Sequence, residues 1–357
     1  MHNPLTTTER QEGVRSITAR FGDTVPPSVR SQCDLLMKEG NYERQLQILR
    51  ALHDLLQNET GSLTHAKEMI EKGEGKFYGP ESLKAMKLKT PDTLPPLPPT
   101  EEIERYAKQG FSLRLMPDRA PDNAPLTMEK MNEILDPLIK KCQKKQNPDE
   151  EDWKLLYKVD WYATEDLYKK AVTPLCWVFT SDRLLDGSTS VNYLGQTDYI
   201  DKYVRETLYE GKSLPQEIQK ASGQFKGKRA NIDKNIKANK WKEVADELKA
   251  LDITQLFRPE AQDVIFFFAQ TFLNSPPNKR ERLLEALYAW TKTQSSGGSL
   301  VCAGGCGPGG ARLDGCSPGD ARGVLGVLLV RKFPPHQPIR QAQDGAGQGA
   351  LPARRSP

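Results

Sequence analysis

The chain has 357 residues, with 51 Lys and Arg against 47 Asp and Glu, a net charge of +4. That length suits two domains, or one large domain with attachments, and it buries a core without disulfide help. No apolar run approaches the roughly 18 residues of a membrane span, so a membrane-crossing helix is not expected.

The surplus charge is local. From Arg331 onward there are five basic residues and one acid, and the rest of the chain is balanced. A nucleic-acid binder needs a clustered basic footprint. The densest stretch, KGKRANIDKNIKANKWK over 226–242, reads equally well as a solvated helical face. Nucleic acid is therefore disfavoured as a partner. The start, MHNPLTTTERQEGVRS, lacks an apolar leader. This points to a cytoplasmic protein, with unconventional export left open.

In chain order, residues 1–27 are polar and read as a flexible arm. A helical region follows over 28–89. It opens with SVRSQCDLLMKE, and Gly40 then separates a second helix that Asn41 can cap. Leu46, Leu49, Leu52 and Leu56 form the stripe of that second helix. Further helix is expected over 63–72 and 81–87. TPDTLPPLPPT, over 90–100, has five prolines in eleven residues. Fixed φ and missing donors make it an extended linker or a surface strap.

Residues 101–332 read as a mixed domain. In GFSLRLMP, Phe111, Leu113 and Leu115 alternate with polar partners, as in a strand with one buried face. LTMEKMNEILDPLIKKCQKK is helix, interrupted at Pro137. TPLCWVFTSD is the clearest buried strand, and LLDGSTSVNYLGQT is a turn leading into helix. A helical insertion spans about 198–286, with breaks at Gly211 and Gly223, and AQDVIFFFAQTFL is its core helix. KANKWKEVADELKAL (237–251) echoes KEGNYERQLQILRAL (38–52), which reflects shared helix-start chemistry rather than a repeat array. YAWTKT fits a strand. Residues 333–357, rich in Pro, Gly and Gln, are expected to be disordered.

Cys33, Cys142 and Cys176 are widely spaced and read as buried thiols. The other three cysteines fall in SLVCAGGCGPGGARLDGCSPGDARGVLGVLLVR, which contains no Lys, Glu, Gln, Met or Trp. Zinc would want a fourth ligand, and Cys302, Cys306 and Cys316 lack one, so no metal is assigned. A disulfide among them is disfavoured in a reducing compartment. Gly305, Gly307 and Gly310 satisfy G-x-G-x-x-G, but no helix pattern follows to cradle a phosphate. An out-of-frame translation of GC-rich codons would also give this composition. The terminal strand chemistry, SLVCAG and VLGVLLVR, fits that idea less well than the tail does.

The motifs YAWTK, SLVCAGG, the loop with DG and Pro, and LGVLLVR resemble the closing part of variable proteins made by diversity-generating retroelements. The resemblance rests on Tyr288, Trp290, Thr291, Leu300, Val301, Gly304, Gly310, Pro318, Leu325, Gly326, Val327 and Arg331. PLCWVFTSDRLLDGSTSVNYLGQT is similar to an upstream element of the same group. The resemblance implies an α+β chain: a helical N-terminal region, then a C-type-lectin-like mixed domain with a helical insertion, then a disordered tail. Family relatives more often carry an aromatic residue at Cys302, Cys306 and Cys316, and fewer glycines over 305–310.

The composition fits independently. Mutating the first two bases of an AAC template codon never yields Lys, Glu, Gln, Met or Trp. Residues 302–331 hold none of these, where the upstream frequency gives about eight. On this reading Leu300, Val301, Gly304, Leu325, Val327 and Arg331 are scaffold. Leu and Val bury, Gly304 permits a tight backbone, and Arg331 anchors the last strand by an ion pair. Cys306, Arg312, Asp314, Cys316, Ser317, Asp320 and Arg322 form an exchangeable contact surface for an unidentified protein or surface ligand. Arg312 and Arg322 are expected to contribute most.

The rival is a helical interaction protein that uses the stripe over 46–56, with an aberrant, frameshifted C-terminus. No catalytic motif appears, and His2, His53, His65 and His336 are scattered, so the chain is read as a non-enzyme without a cofactor.

Overall fold

A computed structural model describes residues 27–38, 44–45, 62–143 and 152–333. The leucine stripe over 46–56, residues 1–26 of the arm and the tail beyond 333 lie outside the described residues.

Helix α1 spans Pro27–Lys38, and α2 covers 62–72. Strand β1 (Phe77–Tyr78) and helices α3 (Pro80–Ala85) and α4 (Thr100–Ala107) follow. Strand β2 is Ser112–Met116. Helix α5 (Met128–Cys142) begins where the Thr127 side chain accepts from the Lys130 amide. It runs through Pro137 without interruption. Met128, Met131, Leu135 and Ile139 bury along one face, and this packing outweighs the one hydrogen bond that proline removes.

The short α6 (Asp166–Lys169) leads to strand β3 (Cys176–Thr180). Helix α7 (Tyr193–Tyr203), capped by Asn192, continues into a π-helical turn at Val204–Leu208. Then come α8 (Gln216–Lys237), α9 (Trp241–Lys249), α10 (Asp252–Phe257) and α11 (Ala261–Asn274). Gly211, at φ +66°, does break the helical run, because the left-handed region suits glycine. Gly223 does not. It lies inside α8, held there by burial of Ile218, Ala221, Phe225 and Ile232.

The chain closes with β4 (Tyr288–Gln294), β5 (Leu300–Gly307), β6 (Gly310–Cys316), β7 (Leu325–Gly326) and β8 (Val330–Phe333). Among the described residues the fold is mixed α+β with two four-stranded sheets. The first runs β1-β2-β3-β8 and the second β6-β5-β4-β7. β1 pairs parallel with β2, and β4 pairs parallel with β7; the remaining neighbours are antiparallel.

Two expectations change here. The segment over 90–99 holds no helix or strand, yet it does not separate two domains. β1 precedes it and pairs with β2 beyond it, and Trp177 Nε1 donates to the Pro95 carbonyl at 2.9 Å. It is a strap over one shared core, which contains Ala66, Ile70 and Leu83 as well as Phe179 and Trp290.

Strand β2 buries both faces, not one. Its polar-looking Arg114 is fully buried. Its guanidinium donates to Thr180 Oγ1 and Gln270 Oε1, each at 3.1 Å, to Thr271 Oγ1 at 2.9 Å and to Asp182 Oδ1 at 2.6 Å.

The helical insertion carries its expected core helix. Residues 261–272 of α11 are all buried, and the helix contacts β4, β5 and β6 as well as α3 and α5. Lys332 on β8 reaches Asp263 of α11 at 2.6 Å, so the first sheet grips the same helix.

Candidate functional site

The candidate site is the β5–β6 hairpin with the loop 317–324. Leu300 and Val301 are buried on β5, and Leu325 and Val327 are buried in and after β7. Gly304 sits where β5 crosses the start of β4. A Cβ there would lie 2.1 Å from the Leu287 carbonyl oxygen, so the approach of the two strands requires glycine. Gly310, at φ +101°, opens β6 against the backbone of Leu156. Arg331 is buried on β8, pairs with Glu217 of α8, and lies 5.5 Å from the ring centres of Phe257 and Phe333.

The seven residues expected on the contact surface divide. Arg312, Asp314 and Arg322 are exposed, and Ser317 and Asp320 are half-buried. Asp320 pairs with Arg322 at 3.0 Å. Cys306 and Cys316 are corrections to the expected surface. Cys306 is fully buried, and burial raises its thiol well above the ordinary range, so it offers neither contact nor nucleophile. Cys316 is buried and disulfide-bonded to Cys302, a pairing the sequence reading had disfavoured. Leu300 opposes Cys316 and Cys302 opposes Asp314, so the two cysteines are diagonal neighbours across the ladder. The disulfide ties β5 to β6 where the loop departs.

The loop backbone is pinned at several points. The Tyr193 amide donates to Pro318, the Ser190 amide to Arg322, and the Leu325 amide to Arg322. Gly319 rests on the Trp241 ring, which a Cβ there would approach to 3.0 Å. The G-x-G-x-x-G match is the hairpin turn itself, with Gly307 opposite Gly310.

Sequence reasoning missed the flank of the hairpin. The irregular stretch before α6 lies along the outer edge of β6. Ala311 exchanges hydrogen bonds with it: its amide donates to Leu155, and the Tyr157 amide donates back, each at 2.8 Å. Trp161 Nε1 donates to the Leu313 carbonyl at 3.1 Å. The Arg312 guanidinium lies 4.1 Å from the centre of the Tyr157 ring. Tyr157, Val159 and Trp161 are all exposed, so this edge presents two aromatic side chains beside Arg312 and Asp314. The signal was the irregular aromatic spacing of WKLLYKVDWYATEDLYKKA, which fits no buried stripe.

Elsewhere, the basic run over 226–242 is laced with ion pairs. Arg229 meets Asp198 at 2.7 Å, Lys237 meets Asp233 at 2.6 Å and Lys240 meets Glu243 at 3.2 Å. Of the histidines, only His65 is among the described residues, and it is exposed. Among the described residues no three His, Cys, Asp or Glu side chains converge as metal ligands, and no helix is long and apolar enough to cross a membrane. No family model, curated protein or solved structure matches this chain.

Proposed function

We propose that this chain is a recognition protein whose β5–β6 hairpin and 317–324 loop present an exchangeable contact surface on a fixed, C-type-lectin-like scaffold. The observation that carries the reading is a division of labour within one segment. Leu300, Val301, Leu325 and Val327 are buried, while Arg312, Asp314 and Arg322, interspersed among them, are exposed. A paratope needs this arrangement, with a backbone that stays put and side chains that can change without unfolding it. Tyr157 and Trp161 extend the surface with rigid aromatic area, and Arg312 supplies hydrogen bonding and stacking beside them. Arg322, paired with Asp320, adds a charged contact from the 317–324 loop.

The same segment supports a chain read in frame. Residues 300–333 supply β5 to β8 and complete both sheets. An out-of-frame stretch has no reason to place its apolar residues where two sheets bury them.

The test is the gene and its surroundings. The expected finding is a reverse-transcriptase gene and a near-identical template repeat beside it, with differences confined to template adenines. Those differences should fall on the codons of Arg312, Asp314, Ser317, Asp320 and Arg322 and spare Leu300, Val301, Leu325 and Val327. A locus with neither element, or with substitutions spread over the scaffold codons, removes the reading.

A further inference from the structure

Among the described residues, buried positive charges come with carboxylates, with one exception. Arg114 pairs with Asp182 at 2.6 Å and Arg331 pairs with Glu217. Lys292 lies 3.8 Å from Glu260. Arg258, which follows α10, is 1% exposed, and its acceptors are all neutral. It reaches Gln196 Oε1 at 3.4 Å, the Tyr193 carbonyl at 3.2 Å and Thr197 Oγ1 at 3.3 Å. These are long contacts for a guanidinium. Its Nε is buried and has no hydrogen-bond partner. The guanidinium stacks on the Tyr193 ring at 3.8 Å, which adds a π face and no formal charge. Trp290, whose ring meets the same Tyr193 at 5.2 Å, likewise has a buried Nε1 without a partner. A buried cation without a counter-charge costs several kcal/mol, more than neutral acceptors of this length return.

We propose that Arg258 holds a small monovalent anion of the chloride class at its Nε, between α7 and the second sheet. The small size follows from the burial of Tyr193, Gln196 and Thr197, the three residues that the guanidinium touches. The site is connected to the candidate surface. Gln196 accepts from Arg258 and donates through Nε2 to the Leu325 carbonyl at 3.0 Å. The anion therefore braces the strand that closes the 317–324 loop.

The test compares thermal unfolding in sodium chloride and sodium gluconate at matched ionic strength. The expected result is a midpoint that rises by ~2–4 °C for each tenfold increase in chloride above its dissociation constant, and not with gluconate. Arg258→Met should abolish the difference. Should that variant not fold, crystals of the wild-type protein grown in bromide decide, with an anomalous peak expected at Arg258 Nε. Equal midpoints in the two salts, an undiminished chloride response in the variant, or ordinary water density at Nε would each overturn the proposal.

Discussion

Asp182 is the residue on which the first sheet's polar centre turns. It follows β3 at φ +50°, a conformation uncommon outside glycine. The Ser112 and Thr180 hydroxyls both donate to it, and Arg114 pairs with it. Burial pushes its carboxyl up, but the Arg114 guanidinium and these hydrogen bonds outweigh that and hold it below the usual carboxylate value. A depressed folded pKa means the unfolded chain binds the proton more readily. The stabilisation is therefore complete above the unfolded carboxylate range and is lost as pH falls through the folded value. Asp182→Asn should cost about 1–3 kcal/mol at neutral pH, because Arg114 would be left buried without its counter-charge while Asp182 itself is partly exposed. The variant's stability should also fall less than the wild type's on acidification below about pH 4. Denaturant midpoints across pH would show it, and parallel acid limbs would contradict it. None of this was legible in SLRLM. Alternation marks Arg114 as a solvent-facing residue, and only tertiary contact reveals the acid that lets it be buried.

At the scale of elements, the sequence was most informative where a segment's own pattern decides its state. TPLCWVFTSD and AQDVIFFFAQTFL are apolar enough to be buried in any packing, and they became β3 and α11. It was least informative where burial overrides local signals. Pro137 and Gly223 are breakers by propensity, yet α5 and α8 pass through them because each buries an apolar face on both sides of the breaker. The candidate surface followed the same rule. Arg312 and Asp314 could be read from alternation on β6, whereas the resemblance put Cys306 and Cys316 on the surface against cysteine's general tendency to be buried. The override at α8 leaves a measurable residue of local cost. Gly223 and Gly227 are exposed helical positions, and a Cβ at either would meet nothing within 4 Å. Gly223→Ala and Gly227→Ala should each stabilise by about 0.5–1 kcal/mol, by reducing the freedom of the unfolded chain without disturbing the folded one. A raised urea midpoint at constant slope is the expected readout, and a fall in either variant would mean the helix is contacted there.

At the scale of the molecule, the end of the described chain holds the beginning together. After β7 in the second sheet, the chain crosses through buried Val327, Leu328 and Leu329 and enters the first sheet as β8, against β3. Arg331 then meets α8, and Lys332 meets Asp263 at the start of α11. Burial draws the Lys332 ammonium down, but Asp263 beside it outweighs that and keeps it protonated through the neutral range. One short strand thus links both sheets to the central helix, so the protein should unfold as a single cooperative unit and not sheet by sheet. Ending the chain after Leu329 removes β8, both ion pairs and the ladder to β3. If the two sheets were separate modules, such a truncation would leave the second sheet's transition intact, with only the first sheet's signal lost. The linked arrangement predicts loss of the whole transition, seen together in near-ultraviolet circular dichroism and in the fluorescence of Trp177 and Trp290. A surviving transition reported by Trp290 alone would show that the central helix does not couple the sheets.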